Sequence, residues 1–340
     1  MSATPAAPRT LLGVAAALGA GLMWGLVFVA PQQLGDYSAW QLTLGRYAAF
    51  GVVVLPLALM QWQALRRLAR ADWLAALRLS LIGNFLYYTL LATAIGLAGV
   101  PVPSLMIGTL PVVIPLAANW LQGRGGQARL PWRRLALPLG AIALGLACVQ
   151  TDQWQRLAAL ASSTQARWHL LAGAAVAVGA VWAWTWYPIR NAQWLQQHPQ
   201  HRAVTWATAQ GLVTLPLAVL GFAGVWGVTA LLSGPSAAGA LLAGPRPEHY
   251  LLWMLALGVL ASWLGTLLWN IASQNTPTTL TGQLIVFETL SALTYAYALA
   301  GRWPSLLEAV GIGLLIAGVL TGVRAVRVRA VTGPKESSRA

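Results

Sequence analysis

Apolar residues along this chain come in long runs, not in the short alternations of soluble helices or strands. Ten stretches lie near residues 10–30, 39–60, 73–97, 100–120, 135–151, 168–190, 203–223, 250–272, 279–300 and 305–323. Each approaches the roughly 20 apolar residues a helix needs to cross hydrocarbon. Polar positions within them are sparse and tend to recur every three or four residues, which places them on one helical face. The pattern predicts an all-α polytopic membrane protein with ten transmembrane helices.

The runs also repeat. The first stretch contains Gly21-Leu22-Met23-Trp24-Gly25-Leu26-Val27-Phe28 and the sixth Gly179-Ala180-Val181-Trp182-Ala183-Trp184-Thr185-Trp186. The second contains Gly51-Val52-Val53-Val54-Leu55-Pro56-Leu57-Ala58 and the seventh Gly211-Leu212-Val213-Thr214-Leu215-Pro216-Leu217-Ala218. Leu86-Tyr87-Tyr88-Thr89-Leu90 and Leu264-Gly265-Thr266-Leu267-Leu268 pair the third with the eighth, each ahead of a proline-bearing loop (Pro101 and Pro103; Pro277). Gly140 and Gly311 pair the fifth with the tenth. Five spans is an odd number, so a second copy enters the bilayer from the opposite side. Residues 10–151 and 168–323 are therefore expected to form two inverted five-helix repeats, followed by a basic tail at 324–340. Inverted repeats place a solute site near the midplane, where the halves meet.

The 340 residues are 58% hydrophobic and 8% charged, against about 25% charged in a soluble domain. Little is left for a soluble domain. The net charge of +14 is distributed by side of the membrane. Arg9, Arg66, Arg67, Arg70, Arg124, Arg129, Arg133, Arg134, Arg190, Arg202, Arg324, Arg327, Arg329, Lys335 and Arg339 fall on one side, with the amino terminus. The opposite loops hold Arg156, Arg167, Arg246 and Arg302 beside Asp36, Asp152 and Glu248. This positive-inside bias puts both termini in the cytoplasm and makes membrane lipids, not nucleic acid, the partner of the basic tail. Cys148, the single cysteine, lies within a span and allows no intramolecular disulfide. The first stretch resembles a secretory signal in length, but its match to the sixth keeps it in the mature chain. A bacterial-type inner membrane is the expected location.

Trp40, Trp62, Trp73, Trp120, Trp132, Trp168, Trp194 and Trp303 fall near predicted helix ends, where an indole sits at headgroup level. Trp24, Trp182, Trp184, Trp186, Trp206, Trp253, Trp263 and Trp269 fall inside spans. Two charges stand well within the spans, Arg46 and Glu288, and intramembrane charges are functional candidates by default. Glu288 shares a helical face with Thr281, Ser291 and Tyr295. It is a candidate for proton coupling or for attracting a cation; the structural alternative is a fixed ion pair with Arg46. Glu308, at the start of the last span, is expected at the interface. Polar and aromatic stripes elsewhere add Trp24, Asn84, Tyr88, Trp182, Trp186, Gln210, Trp263, Asn270 and Tyr295 to a solute pathway, against a plain reading as interhelical packing and hydrogen bonding. Gly19, Gly21, Gly140, Gly145, Gly311, Gly313 and Gly318 are expected where helices approach closely.

No metal-ligand, nucleophile or P-loop spacing occurs, so no cofactor or metal is expected and ATP-driven transport is disfavoured. His198 and His201 are three apart with no carboxylate nearby in sequence, and are expected to be solvated.

The duplication, Trp24-Gly25, Arg46, and the ending from Gly301-Arg302-Trp303-Pro304-Ser305 through Gly311-Ile312-Gly313-Leu314-Leu315-Ile316-Ala317-Gly318-Val319 resemble the drug/metabolite transporter superfamily, EamA-like branch. The resemblance covers about residues 10–323. It implies an alternating-access carrier with one central site; such carriers export amino acids, other small metabolites or drugs, and relatives move nucleotide sugars. Arg46 matches an arginine common in the family's second span. Two positions depart from the family: Arg302 stands where Glu is common, and Glu288 at or beside a position that often holds Pro. The resulting expectation is a secondary exporter of small metabolites, amino acids or similar amphipathic solutes, acting as a monomer or a homodimer. An organic cation or drug exporter is the alternative, and a polytopic membrane enzyme the alternative from a different class.

Overall fold

The computed structural model describes residues 7–99, 101–124, 131–151, 155 and 164–331. Among these there is no strand. The main helices are α1 (Ala7–Gly25, continued by a 3-10 turn at Leu26–Phe28), α2 (Ala39–Met60), α3 (Arg70–Ala98), α4 (Pro101–Ile107 and Leu110–Arg124), α5 (Trp132–Val149), α6 (Thr164–Gln197), α7 (Ala203–Ser233), α8 (Pro247–Asn275), α9 (Thr278–Ala300) and α10 (Leu306–Val331), with short helices at Ala30–Gln33, Trp62–Arg66 and Pro235–Ala243. Among the described residues nine helices are long and apolar enough to cross a membrane; within α4, Leu110–Leu121 is a shorter apolar helix. The protein is an all-α polytopic membrane protein. Asp152, Arg156, Arg129, Lys335 and Arg339 lie outside the described residues, as do the side chains of Pro101, Arg124, Arg327 and Arg329.

Local chemistry sets the helix ends. Ser38 and Gln41 form a capping box that opens α2. Asp72 Oδ2 accepts from the Ala69 amide at 2.8 Å to open α3. Ser305 and Glu308 do the same for α10. Glycine at φ 58° (Gly301) ends α9 in the left-handed conformation that side-chain-bearing residues avoid. Two helices differ from their sequence boundaries: α6 and α7 run well past the hydrophobic stretches at 168–190 and 203–223. Hydropathy marks only the part immersed in lipid. Backbone bonding carries α6 on through Arg190, Asn191 and Gln193, whose polar atoms find partners.

Six pairings dominate the packing: α5 along α10, α2 along α7, α4 along α9, α1 along α8, α6 along α3, and α1 along α9. The contacts of α6 with α4, of α2 with α8 and of α7 with α3 follow. Exchanging α1–α5 for α6–α10 carries every one of these pairs onto itself or onto another of the set. The crossings repeat in detail. A Cβ on Gly19 would lie 3.1 Å from Leu268 Cδ1, and one on Gly179 3.2 Å from Leu90 Cδ1. Gly51 abuts Leu215 while Gly211 abuts Phe50 and Val54. These contacts set Gly19 opposite Gly179 and Trp24 opposite Trp184, two residues away from the register suggested by the Trp-Gly motif. Gly140 and Gly313 meet nothing within 4 Å, so they do not mark close approaches, whereas Gly21, Gly145, Gly311 and Gly318 do. Both α3 and α8 pass through a π-helical stretch, Leu81–Leu86 and Leu257–Leu264, a local widening that recurs at functional sites.

Candidate functional site

Arg46 projects from α2 with its Nε donating to Ser262 Oγ on the π-helical stretch of α8 at 2.9 Å. Its guanidinium carbon lies 5.3 Å from the centre of the Tyr47 ring. Those contacts orient the group while neither Nη makes a hydrogen bond to a described residue. Glu288, on α9, sits where α1 crosses closely at Gly21. It forms no hydrogen bond and no ion pair within 4.0 Å among the described residues, so it is not the fixed partner of Arg46. Glu288, Tyr87 and Tyr88 are each partly buried. Arg46 on α2 and Glu288 on α9 are thus intramembrane charges that do not pair with each other, and such charges are functional candidates.

An aromatic column joins α1, α3 and α6. Tyr87 stacks on Trp184 at 4.7 Å, and Trp184 on Tyr187 at 5.4 Å. Trp24 meets Trp184 edge-on at 5.9 Å and donates its Nε1–H to the Ala261 carbonyl at 2.9 Å. The column continues into a closed polar network. Tyr187 donates to Gln210 Oε1 (2.9 Å), Gln210 Nε2 and Trp206 Nε1 donate to Asn191 Oδ1 (3.1 and 2.9 Å), and Asn191 Nδ2 donates to Asn270 Oδ1 (2.9 Å). Asn191, Trp206 and Asn270 have no exposed surface.

Of the residues singled out from the sequence, Arg46 bonds Ser262, Tyr88 meets Tyr87 edge-on at 6.5 Å, and Trp24 packs on the aromatic column at Trp184. Gln210 and Asn270 are locked in the buried network and serve packing. Asn84 sits on the π-helical stretch of α3, partly buried. Trp263 packs beside Tyr47, Phe50 and Val54, its indole nitrogen unpartnered. Tyr295 donates to the Leu22 carbonyl at 3.0 Å, which ties α9 to α1. Trp186 packs into a cluster with Ala58, Leu79 and Trp206. Trp182 is 54% exposed, in line with exposed Trp168, Leu171 and Val178, so it belongs to the lipid-facing stripe of α6. The helix is amphipathic in the opposite sense to the polar-stripe argument: its inner face is tyrosine, alanine and asparagine, its outer face tryptophan and aliphatics. Tyr87 and Trp184 emerge as members of the aromatic column, and Asn191 and Ser262 as polar contacts the sequence did not isolate. Asn191 lies just past the apolar stretch at 168–190, after Arg190, where hydropathy no longer marks a helix.

Each end of the bundle carries a clasp between the first five helices and the last five. At one end of α2, Arg246 donates to Asp36 Oδ2 (2.8 Å) and to the Gln33 carbonyl (3.1 Å), Tyr37 stacks on Tyr250 at 4.6 Å, and Gln41 Nε2 donates to the Leu241 carbonyl (2.7 Å). At the opposite end, His201 Nε2 meets Asp72 Oδ1 at 2.8 Å, and Thr205 donates to Gln61 Oε1 at 3.0 Å. The solvated histidine pair expected from the sequence is instead stacked between Trp194 and Trp206, with a carboxylate that the fold brings from a distant helix. Glu308 pairs with Arg302 through both carboxylate oxygens at 2.9 and 3.0 Å. No group of three or more His, Cys, Asp or Glu able to hold a metal occurs among the described residues.

Residues 11–125 match the model of the EamA-like transporter family. Inner membrane protein YtfF of Escherichia coli (strain K12) is 44% identical over 315 residues, spanning 92% of this chain and 95% of that protein. A solved crystal structure at 20% identity superposes with a TM-score of 0.64 over 94% of this chain and 98% of its own, a likeness of fold. With relatedness at that level across nearly its whole length, this chain belongs to the EamA-like transporter family, the EamA branch of the drug/metabolite transporters.

Proposed function

We propose that the protein is an inner-membrane secondary exporter of small amphipathic solutes, amino acids foremost. In this reading α1–α5 and α6–α10 are inverted repeats that rock about a midplane chamber, with both termini cytoplasmic. One observation carries it: Arg46 and Glu288 are intramembrane charges that do not pair with each other, in a bundle whose α1, α3 and α6 are joined by an aromatic column of Trp24, Tyr87, Trp184 and Tyr187. The exchange relation among helix pairs and the clasp at each end support two halves that open alternately. The inner-membrane relative supports the location. An enzyme would need convergent catalytic groups, and this chamber offers only one carboxylate and one guanidinium. Counterflow into proteoliposomes, with labelled amino acids against labelled organic cations, tests the reading. Uptake of amino acids supports it, uptake of cations alone moves it to the drug-exporter alternative, and accumulation of reaction products instead of flux points to an enzyme.

A further inference from the structure

We infer that the cleft beside the Asp72–His201 clasp binds a phosphate group, which ties the first five helices to the last five at that end of the bundle. The cleft encloses about 470 Å³, within the roughly 300–1,000 Å³ of small-ligand sites. Arg67, Ala69 and Asp72 line it from the link between α2 and α3 and the start of α3; His198, His201 and Arg202 line it from the link between α6 and α7. Neither Arg46 nor Glu288 belongs to it. Both lining arginines are exposed, and neither guanidinium makes a hydrogen bond or ion pair with a described residue. The one acid in the lining is fully engaged: Asp72 Oδ2 accepts from the Ala69 amide and Oδ1 meets His201 Nε2, each at 2.8 Å. His198 donates its Nδ1–H to the Trp194 carbonyl at 2.9 Å, which leaves Nε2 open as a donor when protonated.

Charge and position choose the ligand. Two guanidinium groups, one from each set of helices, make the cleft positive, which an anion relieves and a metal ion would worsen. Arginine suits phosphate because its planar fork gives parallel hydrogen bonds to two oxygens. A phosphate carries oxygens enough to serve both arginines, so one group spans the two sets of helices. The start of α7 adds to this. Arg202 is its N-cap, no side chain caps its first amides, and a cation there has the wrong sign for the helix dipole. An anion between Arg67 and Arg202 offsets both repulsions. Two residues before Ala64, which also lines the cleft, Trp62 is 56% exposed with the Arg66 guanidinium 5.8 Å from its ring centre. That pairing is typical of headgroup level. A lipid headgroup and a free anion both supply the phosphate chemistry that the cleft is built to hold.

The test is thermal unfolding of the whole protein in mild detergent, in two arms. One titrates inorganic phosphate against chloride at matched ionic strength. The other adds phosphatidylglycerol or phosphatidylcholine to the micelles. The cleft variant is Arg67→Gln with Arg202→Gln; the charge-matched control, outside the cleft, is Arg133→Gln with Arg134→Gln. A ligand held only by the folded protein raises the melting temperature saturably, whereas the general exclusion of phosphate from protein surfaces acts on all three proteins alike. The expected result is a saturable rise in the wild type and the control, with the half-maximal concentration about tenfold higher or more in the cleft variant, as for the loss of one charge-assisted bond. A response to inorganic phosphate identifies a free anion as the ligand; a response to phosphatidylglycerol over phosphatidylcholine identifies a lipid headgroup. The same response in both variants, whether kept or lost, overturns the site. So do equal effects of the two lipids with none of inorganic phosphate. Absence of a saturable rise in the wild type in both arms overturns it without recourse to any variant.

Discussion

Asn191 holds three helices together, and replacing it by alanine should be among the most destabilising single changes in the protein. Its Oδ1 accepts from Trp206 Nε1 and Gln210 Nε2, and its Nδ2 donates to Asn270 Oδ1. All three partners are buried, and Asn270 Nδ2 already lacks an acceptor. Asn191→Ala would strand three polar atoms at once. Interhelical hydrogen bonds in membranes contribute on average about 0.6 kcal/mol and at most about 1.7 kcal/mol each, so three give about 2–5 kcal/mol. The assay is thermal unfolding of the purified protein in mild detergent, with Trp182→Ala as control because that side chain faces lipid. The expected drop in melting temperature is about 5 °C or more for Asn191→Ala, with little change for the control. Equal melting of the two variants would refute the idea that this network binds α6, α7 and α8.

Gly211→Leu should cost about 1–3 kcal/mol by overpacking, because any Cβ there already lies 2.8 Å from Phe50 and Val54; an unchanged melting curve would show that α2 and α7 do not cross there. Glu308→Ala should cost about 1 kcal/mol through loss of the helix cap, and Arg302→Ala less, since Arg302 is half exposed and surface pairs contribute little; chemical unfolding of both variants checks the order. Glu288→Gln, at normal expression, should alter the pH dependence of flux if Glu288 also carries protons; a wild-type profile would remove that role. A reporter fused after Ala340 should be active only in its cytoplasmic form; the periplasmic result would reverse the assigned orientation.

The fold was legible because its strongest determinants are local. A run of apolar residues dictates a spanning helix whatever its neighbours do, and a duplicated pattern such as Gly51 to Pro56 with Gly211 to Pro216 survives in plain sequence. Helix length was less legible: α6 continues through Asn191, where partners from α7 and α8 sustain what hydropathy alone would end. Charge marked Arg46 and Glu288 as candidates in the sequence, because an intramembrane charge is costly. Selection between neighbours was not legible where it depends on rotation of the helix. Trp182, Trp184 and Trp186 are two residues apart, and only packing shows that Trp184 joins the aromatic column while Trp182 faces outward. Long-range partners such as Asp72 for His201 and Ser262 for Arg46 carry no local signature at all.

The most direct test of two halves rocking about a central chamber is to lock one clasp at a time. In a Cys148→Ser background, the pairs Asp36→Cys with Arg246→Cys and Asp72→Cys with His201→Cys would each be bridged by a reducible bis-methanethiosulfonate reagent, and solute counterflow measured before bridging, after it, and after reduction. The account predicts that either bridge alone stops flux and that reduction restores it. Undiminished flux with either clasp fully bridged would contradict it.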